Sequence, residues 1–170
     1  MHSQFDLMIN SKYFSINMDK TSLASLVEAS TLVISCVDFR LRYEVSQLLN
    51  TYLGLLDDYD ELALPGASLA FDVPEYRHWQ QTIEDVISLL QNLHKIKRIV
   101  FLDHRCCGAY NLIKGVNALN TPEKEYDTHK EVLLKAKHHL TARFPSLDIY
   151  TLLIALNGVV EVIDDTVSAH

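Results

Sequence analysis

Two apolar runs constrain this chain more than any other feature. Leu32-Val33-Ile34 and Ile99-Val100-Phe101-Leu102 are short, uninterrupted and rich in β-branched residues, as strands buried on both faces are. Helix-like segments alternate with them. Tyr43–Tyr52 reads as a helix, and His78–Leu93 carries Trp79, Ile83, Val86, Ile87 and Leu90 at helical spacing. Gly108 opens a turn into a short helix. Glu123–Arg143 is a longer one, with Leu133, Ala136 and Leu140 on one face, and Phe144-Pro145 ends it. Leu62-Ala63-Leu64 is a weaker strand stopped by Pro65-Gly66. Asp148–Leu156 reads as a strand, Asn157-Gly158 as a turn, and Val159–Ile163 as its return strand. The alternation predicts an α/β fold: a central, mostly parallel sheet of about four strands plus an antiparallel edge strand, flanked by helices on both faces. Residues 1–170 read as a single domain, with 1–30 as an N-terminal helical arm built around Ser22–Glu28 and capped by Thr21 or Ser22.

Composition narrows the function classes. Apolar residues make up 48% and charged residues 22%, as in a globular protein with a sizeable core. The net charge of -7 leaves no basic face to displace counterions from nucleic acid, and it fits an anionic membrane surface poorly. Met1–Lys20 shows no secretory pattern, and no apolar run approaches a membrane span. Three cysteines, two of them adjacent, are no disulfide framework; they predict a reduced, cytoplasmic setting with thiols free to ligate metal.

Both apolar runs end in reactive side chains. The first leads into Ser35-Cys36-Val37-Asp38-Phe39-Arg40, the second into Asp103-His104-Arg105-Cys106-Cys107-Gly108. Ligands of open α/β sheets gather beyond the carboxyl ends of the strands, so strand topology and ligand chemistry point to the same edge. Two thiols and an imidazole are one ligand short of a closed tetrahedral zinc shell; structural sites fill the fourth position with protein, and catalytic sites leave it for water or substrate.

These segments resemble the β-class carbonic anhydrases. That family carries Cys-x-Asp-x-Arg after its first core strand, here Cys36-Val37-Asp38-Phe39-Arg40, and His-x-x-Cys-Gly after a later one, here His104-Arg105-Cys106-Cys107-Gly108. Pro65-Gly66-Ala67-Ser68-Leu69-Ala70 is similar to the family's Gly/Ala-rich segment, and the Asn157-Gly158 hairpin to its C-terminal end. The resemblance spans residues 30–163 in element order. It implies that Cys36, His104 and Cys107 bind one Zn²⁺ per chain and that Asp38 and Arg40 form a catalytic dyad beside it. The activity implied is reversible hydration of carbon dioxide to bicarbonate and a proton by zinc-bound hydroxide. In the open arrangement Arg40 holds Asp38 off the metal through a bidentate pair; in the closed one Asp38 becomes the fourth ligand. The resemblance also implies a homodimer or homotetramer with the site near the subunit interface. Three departures bear on rate and substrate: Phe39 stands where the family usually has Ser, Pro65-Gly66-Ala67 replaces an Asn- or Arg-containing version, and the N-terminal extension is short.

Two thiolates cancel the Zn²⁺ charge, whereas three imidazoles leave it at full strength. Bound water should therefore be less acidic here than at an all-histidine site, where its pKa is about 7, and activity should rise above neutral pH. Other residues read more plainly. Asp103 reads either as an acceptor that orients His104 or as a solvated acid, Gly66 serves a tight backbone turn, and Cys106 is a thiol without a ligand role. His129, His138 and His139 read as a solvated face with Lys135 and Lys137. Competing readings are a related hydrolase of carbonyl sulfide or carbon disulfide, a non-catalytic zinc protein, and a thiol phosphatase loop at Cys36-x5-Arg42. A redox dithiol fails, because Cys106 and Cys107 are adjacent.

Overall fold

The computed structural model describes residues 26–165. Five strands form one sheet: β1 (Thr31–Cys36), β2 (Tyr59–Leu64), β3 (Arg98–His104), β4 (Asp148–Ile154) and β5 (Val160–Val162), in the order β2-β1-β3-β4-β5. β1 is parallel to both β2 and β3, β3 is parallel to β4, and β5 runs antiparallel to β4. This is the sheet that the alternation predicts. The chain leaves β1 to build β2 on one side, then crosses to build β3 on the other. The carboxyl ends of β1 and β3 therefore flank the point where strand order reverses, the usual seat of a ligand crevice in such sheets.

Five helices cover the sheet: α1 (Arg42–Gln47), α2 (Arg77–Leu93), α3 (Gly108–Lys114), α4 (Pro122–Arg143) and, continuing α1, a π-helical segment Leu48–Tyr52. Strand alternation sorts the core into two layers. Leu32, Ile34, Ile99, Phe101, Ile149 and Leu153 face α2 and α4, meeting Ile83, Ile87, Leu133 and Leu140. Val33, Val100, Leu102, Leu152 and Ile154 face the other way, onto Val45, Leu48 and Leu49. The start of α4 follows from its sequence. The Thr121 hydroxyl accepts the Lys124 N–H at 3.3 Å, Pro122 occupies the first turn, and Glu123 and Glu125 complement the helix dipole.

Some boundaries differ from expectation. β4 ends at Ile154 rather than Leu156, because Ala155 already belongs to the hairpin: its N–H donates to the Val159 carbonyl at 2.8 Å and its carbonyl accepts from Gly158 N–H at 2.9 Å. Gly158 takes φ +88°, which suits a residue without a Cβ. The helix expected at Ser22–Glu28 lies partly outside the described residues, and its described part, Leu26–Glu28, is not helical. The remainder of the N-terminal arm also lies outside them. Among the described residues no helix is long and apolar enough to cross a membrane.

Candidate metal centre

Cys36 ends β1, His104 ends β3, and Cys107 sits at the N-cap of α3. The two strands are neighbours in parallel register, Ser35 beside Leu102, so their ends lie side by side. The three side chains are buried, and their ligand atoms lie within 4.8 Å of one another; Cys36 Sγ and Cys107 Sγ are 3.9 Å apart. His104 Nδ1 lies 2.9 Å from the Arg105 carbonyl. A carbonyl only accepts, so Nδ1 carries the proton and Nε2 presents its lone pair. Among the described residues that buried Nε2 has no hydrogen-bond partner. A buried nitrogen lone pair without a partner, beside two thiols at ligand spacing, fits a metal ion, and the soft sulfur donors favour one such as zinc.

The backbone excludes Cys106 from this group. It takes φ +57°, which turns the chain between His104 and Cys107; its thiol is exposed, and its N–H donates to Glu125 Oε1 at 2.6 Å. Gly66 has φ +67°, and its N–H donates to Cys36 Sγ at 3.3 Å. A Cβ at that position would stand 2.4 Å from Leu69 Cδ1, so the turn requires glycine on both counts.

Asp38 and Arg40 stand beside the cluster. Arg40 donates from Nε to Asp38 Oδ1 at 2.9 Å and from Nη2 to Oδ2 at 2.6 Å. The Arg40 backbone N–H adds a third bond to Oδ1 at 3.0 Å, so Asp38 caps the following 3₁₀ turn, Phe39–Leu41. Arg40 Nη2 also donates to the Cys106 carbonyl at 3.0 Å, tying the first motif to the second. Asp38 Oδ2 lies 3.6 Å from His104 Nε2.

Charge distribution follows from these contacts. Hydrogen bonds from Arg40 hold the Asp38 carboxyl well below the usual carboxylate range, against a smaller opposing effect of burial. The Cys107 thiol, His104 and the Gly66 amide lower Cys36, whereas the negative Cys36 sulfur and burial push Cys107 up. Burial disfavours a charged His104, but the Cys36 sulfur, the Arg105 carbonyl and the Asp38 carboxylate together raise the imidazole. A divalent cation would relieve this arrangement by neutralising both thiolates.

Several side chains stand elsewhere than the sequence reading placed them. Asp103 does not orient His104. Adjacent strand residues point to opposite faces, and Asp103 turns to the α4 side, where it bonds Ser68 and Tyr110. His129 is not on a solvated face: it is fully buried, its ring tilted 35° against Tyr110 with centroids 3.8 Å apart, whereas His138 is exposed and pairs with Asp165. Phe39 is 84% exposed. Arg42 bonds the Cys36 carbonyl at 2.6 Å and Glu61 Oε1 at 3.0 Å; committed to those partners, it forms no phosphate cradle with the thiol. Sequence reasoning missed Ser68 and Tyr110. The signal for them was the buried acid Asp103, which needs donors nearby.

No protein-family model matches the chain. Two proteins described as uncharacterized match along nearly its whole length. One, from Rickettsia bellii (strain RML369-C), is 49% identical over 155 residues, covering 91% of this chain and 94% of that protein. The other, from Rickettsia conorii (strain ATCC VR-613 / Malish 7), is 50% identical over 156 residues, covering 92% and 83%. The fold is that of solved β-carbonic anhydrases. CafA of Aspergillus fumigatus superposes with a TM-score of 0.56 at 16% identity, covering 86% of this chain and 80% of that one. One of the two tetrameric β-carbonic anhydrases of Sordaria macrospora gives 0.54 at 16%, covering 82% and 83%. The Coccomyxa β-carbonic anhydrase, solved in complex with acetazolamide, gives 0.54 at 15%, covering 83% and 74%.

Proposed function

The chain belongs to one family with the two Rickettsia proteins and carries the β-carbonic anhydrase fold, and from that footing we propose that it catalyses the zinc-dependent, reversible hydration of carbon dioxide to bicarbonate and a proton. The observation that carries this reading is the buried triad Cys36, His104 and Cys107 with an Arg40-clamped Asp38 beside it.

In this reading Cys36 Sγ, His104 Nε2 and Cys107 Sγ hold one zinc per chain. When bound, zinc acidifies water at neutral to alkaline pH and so supplies a nucleophile for carbon dioxide. The chain's own residues do the rest. Asp38, kept ionised by Arg40, can only accept hydrogen bonds; it fixes the orientation of the attacking oxygen and removes rotational freedom from the step. Arg40 occupies both carboxylate oxygens, which keeps Asp38 from closing the fourth ligand position. Its bond to the Cys106 carbonyl makes that restraint rigid. This pairing favours the open arrangement over a non-catalytic zinc protein in which Asp38 completes the shell.

The proposal extends to assembly and setting. The Sordaria macrospora neighbour is described as tetrameric, and a homodimer or homotetramer is proposed here too. The three cysteines are all free thiols, which supports a reduced, cytoplasmic setting. The test is carbon dioxide hydration by zinc-loaded protein at two pH values, with carbonyl sulfide and carbon disulfide supplied in parallel. Acidification with carbon dioxide that is lost in Asp38→Ala supports the reading. Sulfide release from the sulfur gases without acidification by carbon dioxide would overturn it.

A further inference from the structure

Asp103 is an acid in the core that the proposed chemistry does not use. It is 1% exposed. Its Oδ1 accepts the Ser68 backbone N–H at 3.2 Å, and its Oδ2 accepts the Ser68 hydroxyl and the Tyr110 hydroxyl, the latter at 2.7 Å. His129 Nδ1 lies 3.4 Å from the same oxygen. Ser68, Tyr110 and His129 are themselves fully buried. Well-packed apolar residues would fill this space at lower desolvation cost, so the network is retained for what it holds in place.

One arm of the network leads to a ligand sulfur and the other to the helix turn that carries a ligand cysteine. Ser68 lies one residue beyond Ala67, which is held at φ +35°, and two beyond Gly66, whose N–H lies on Cys36 Sγ. A non-glycine residue at that φ needs an outside restraint, and the two bonds from Ser68 to Asp103 supply one. On the other arm, Tyr110 belongs to the first turn of α3, whose N-cap is the ligand Cys107 and whose Asn111 N–H bonds the Cys107 carbonyl at 3.0 Å. The His129 ring, packed at a tilt against Tyr110, backs that arm from α4.

We propose that Asp103 is a positioning residue for the metal centre: through Ser68 it sets the Gly66 N–H on the Cys36 sulfur and so how much charge that sulfur gives to the bound metal, and through Tyr110 it holds the helix turn that presents Cys107. This rests on the metal reading above. Hydrogen bonds to a ligating sulfur withdraw charge from it, and partners that orient ligands in this way are worth about 10- to 100-fold in metal affinity. Asp103 thus contacts neither metal nor substrate and acts through backbone amides.

The test uses the full chain loaded with cobalt(II) in place of zinc, reading the sulfur-to-cobalt charge-transfer band together with zinc affinity by competition with a chelator. Asp103→Asn and Ser68→Ala should each move the band to longer wavelength, and these two and Tyr110→Phe should each weaken zinc binding about 10-fold or more. Ser68→Thr keeps the hydroxyl and should restore the wild-type band. If Asp103→Asn does not fold, the Ser68 and Tyr110 variants carry the test. A wild-type protein that takes up neither cobalt nor zinc overturns the metal reading itself. Wild-type uptake, with unchanged band and affinity in folded variants, overturns the role of Asp103 alone.

Discussion

Arg40 grips Asp38 through two parallel hydrogen bonds, Nε to Oδ1 at 2.9 Å and Nη2 to Oδ2 at 2.6 Å, while the same Nη2 reaches the Cys106 carbonyl. One guanidinium thus ties the carboxyl group to the loop that carries the second ligand motif. The pair is partly exposed, so its net contribution to stability is small, and its importance lies in where it leaves Asp38.

Removing that grip should change activity more than stability. Arg40→Ala frees Asp38 to turn toward the metal, and hydration should fall by about 100-fold or more with zinc content unchanged. Arg40→Lys should recover little, because an ammonium group cannot make the bidentate pair. Steady-state hydration rates and metal analysis on the same preparations check this.

Ligand charge sets the pH profile. Two sulfur ligands offset the cation, so the acidity of bound water falls short of the value of about 7 seen with three imidazoles. Hydration should be low at neutral pH and rise above it. A stopped-flow profile flat between pH 6 and 9 would contradict this.

Gly66→Ala tests the turn beside Cys36. Its φ of +67° strains any other residue, and the new Cβ would meet Leu69 Cδ1 at 2.4 Å. Denaturant unfolding should show a loss of about 1–3 kcal/mol. Chelator competition should show weaker zinc binding, because the amide on the sulfur moves with the turn.

Asp72 gives an acid-stability signature away from the site. Burial opposes its ionisation, yet Lys114 and Lys135 hold its carboxyl below the ordinary value. A lowered folded-state pKa stabilises above the unfolded-state value, about 3.9 for aspartate, and that stabilisation is lost as pH falls through the folded-state value. Asp72→Asn should cost about 1–2 kcal/mol at pH 7, with the difference from wild type shrinking below about pH 4. Urea melts at pH 7 and pH 3 measure it.

The strands and the triad were legible because buried parallel strands read as unbroken β-branched runs, and Cys36 and His104 lie at their ends. β2 gave a faint signal because it is an edge strand with partly exposed side chains. The buried network was missed for two reasons. Asp103 adjoins His104 in sequence, but the two-residue period of a strand sends the neighbours to opposite faces. His129 falls on the stripe His129, Val132, Leu133, Ala136 and Leu140, which α4 buries. A polar residue on an apolar stripe is a sign of a buried partner, and the lysines around it disguised that sign. The clamp between Arg40 and Asp38 was legible as a possibility; its link to the Cys106 carbonyl depends on loop geometry that no sequence spacing encodes.

Metal analysis of the folded protein, purified without chelators from zinc-supplemented cells, should find one zinc per chain, reduced to near zero in Cys36→Ser and in Cys107→Ser. Well-folded wild-type protein that holds no zinc under those conditions would contradict the zinc reading.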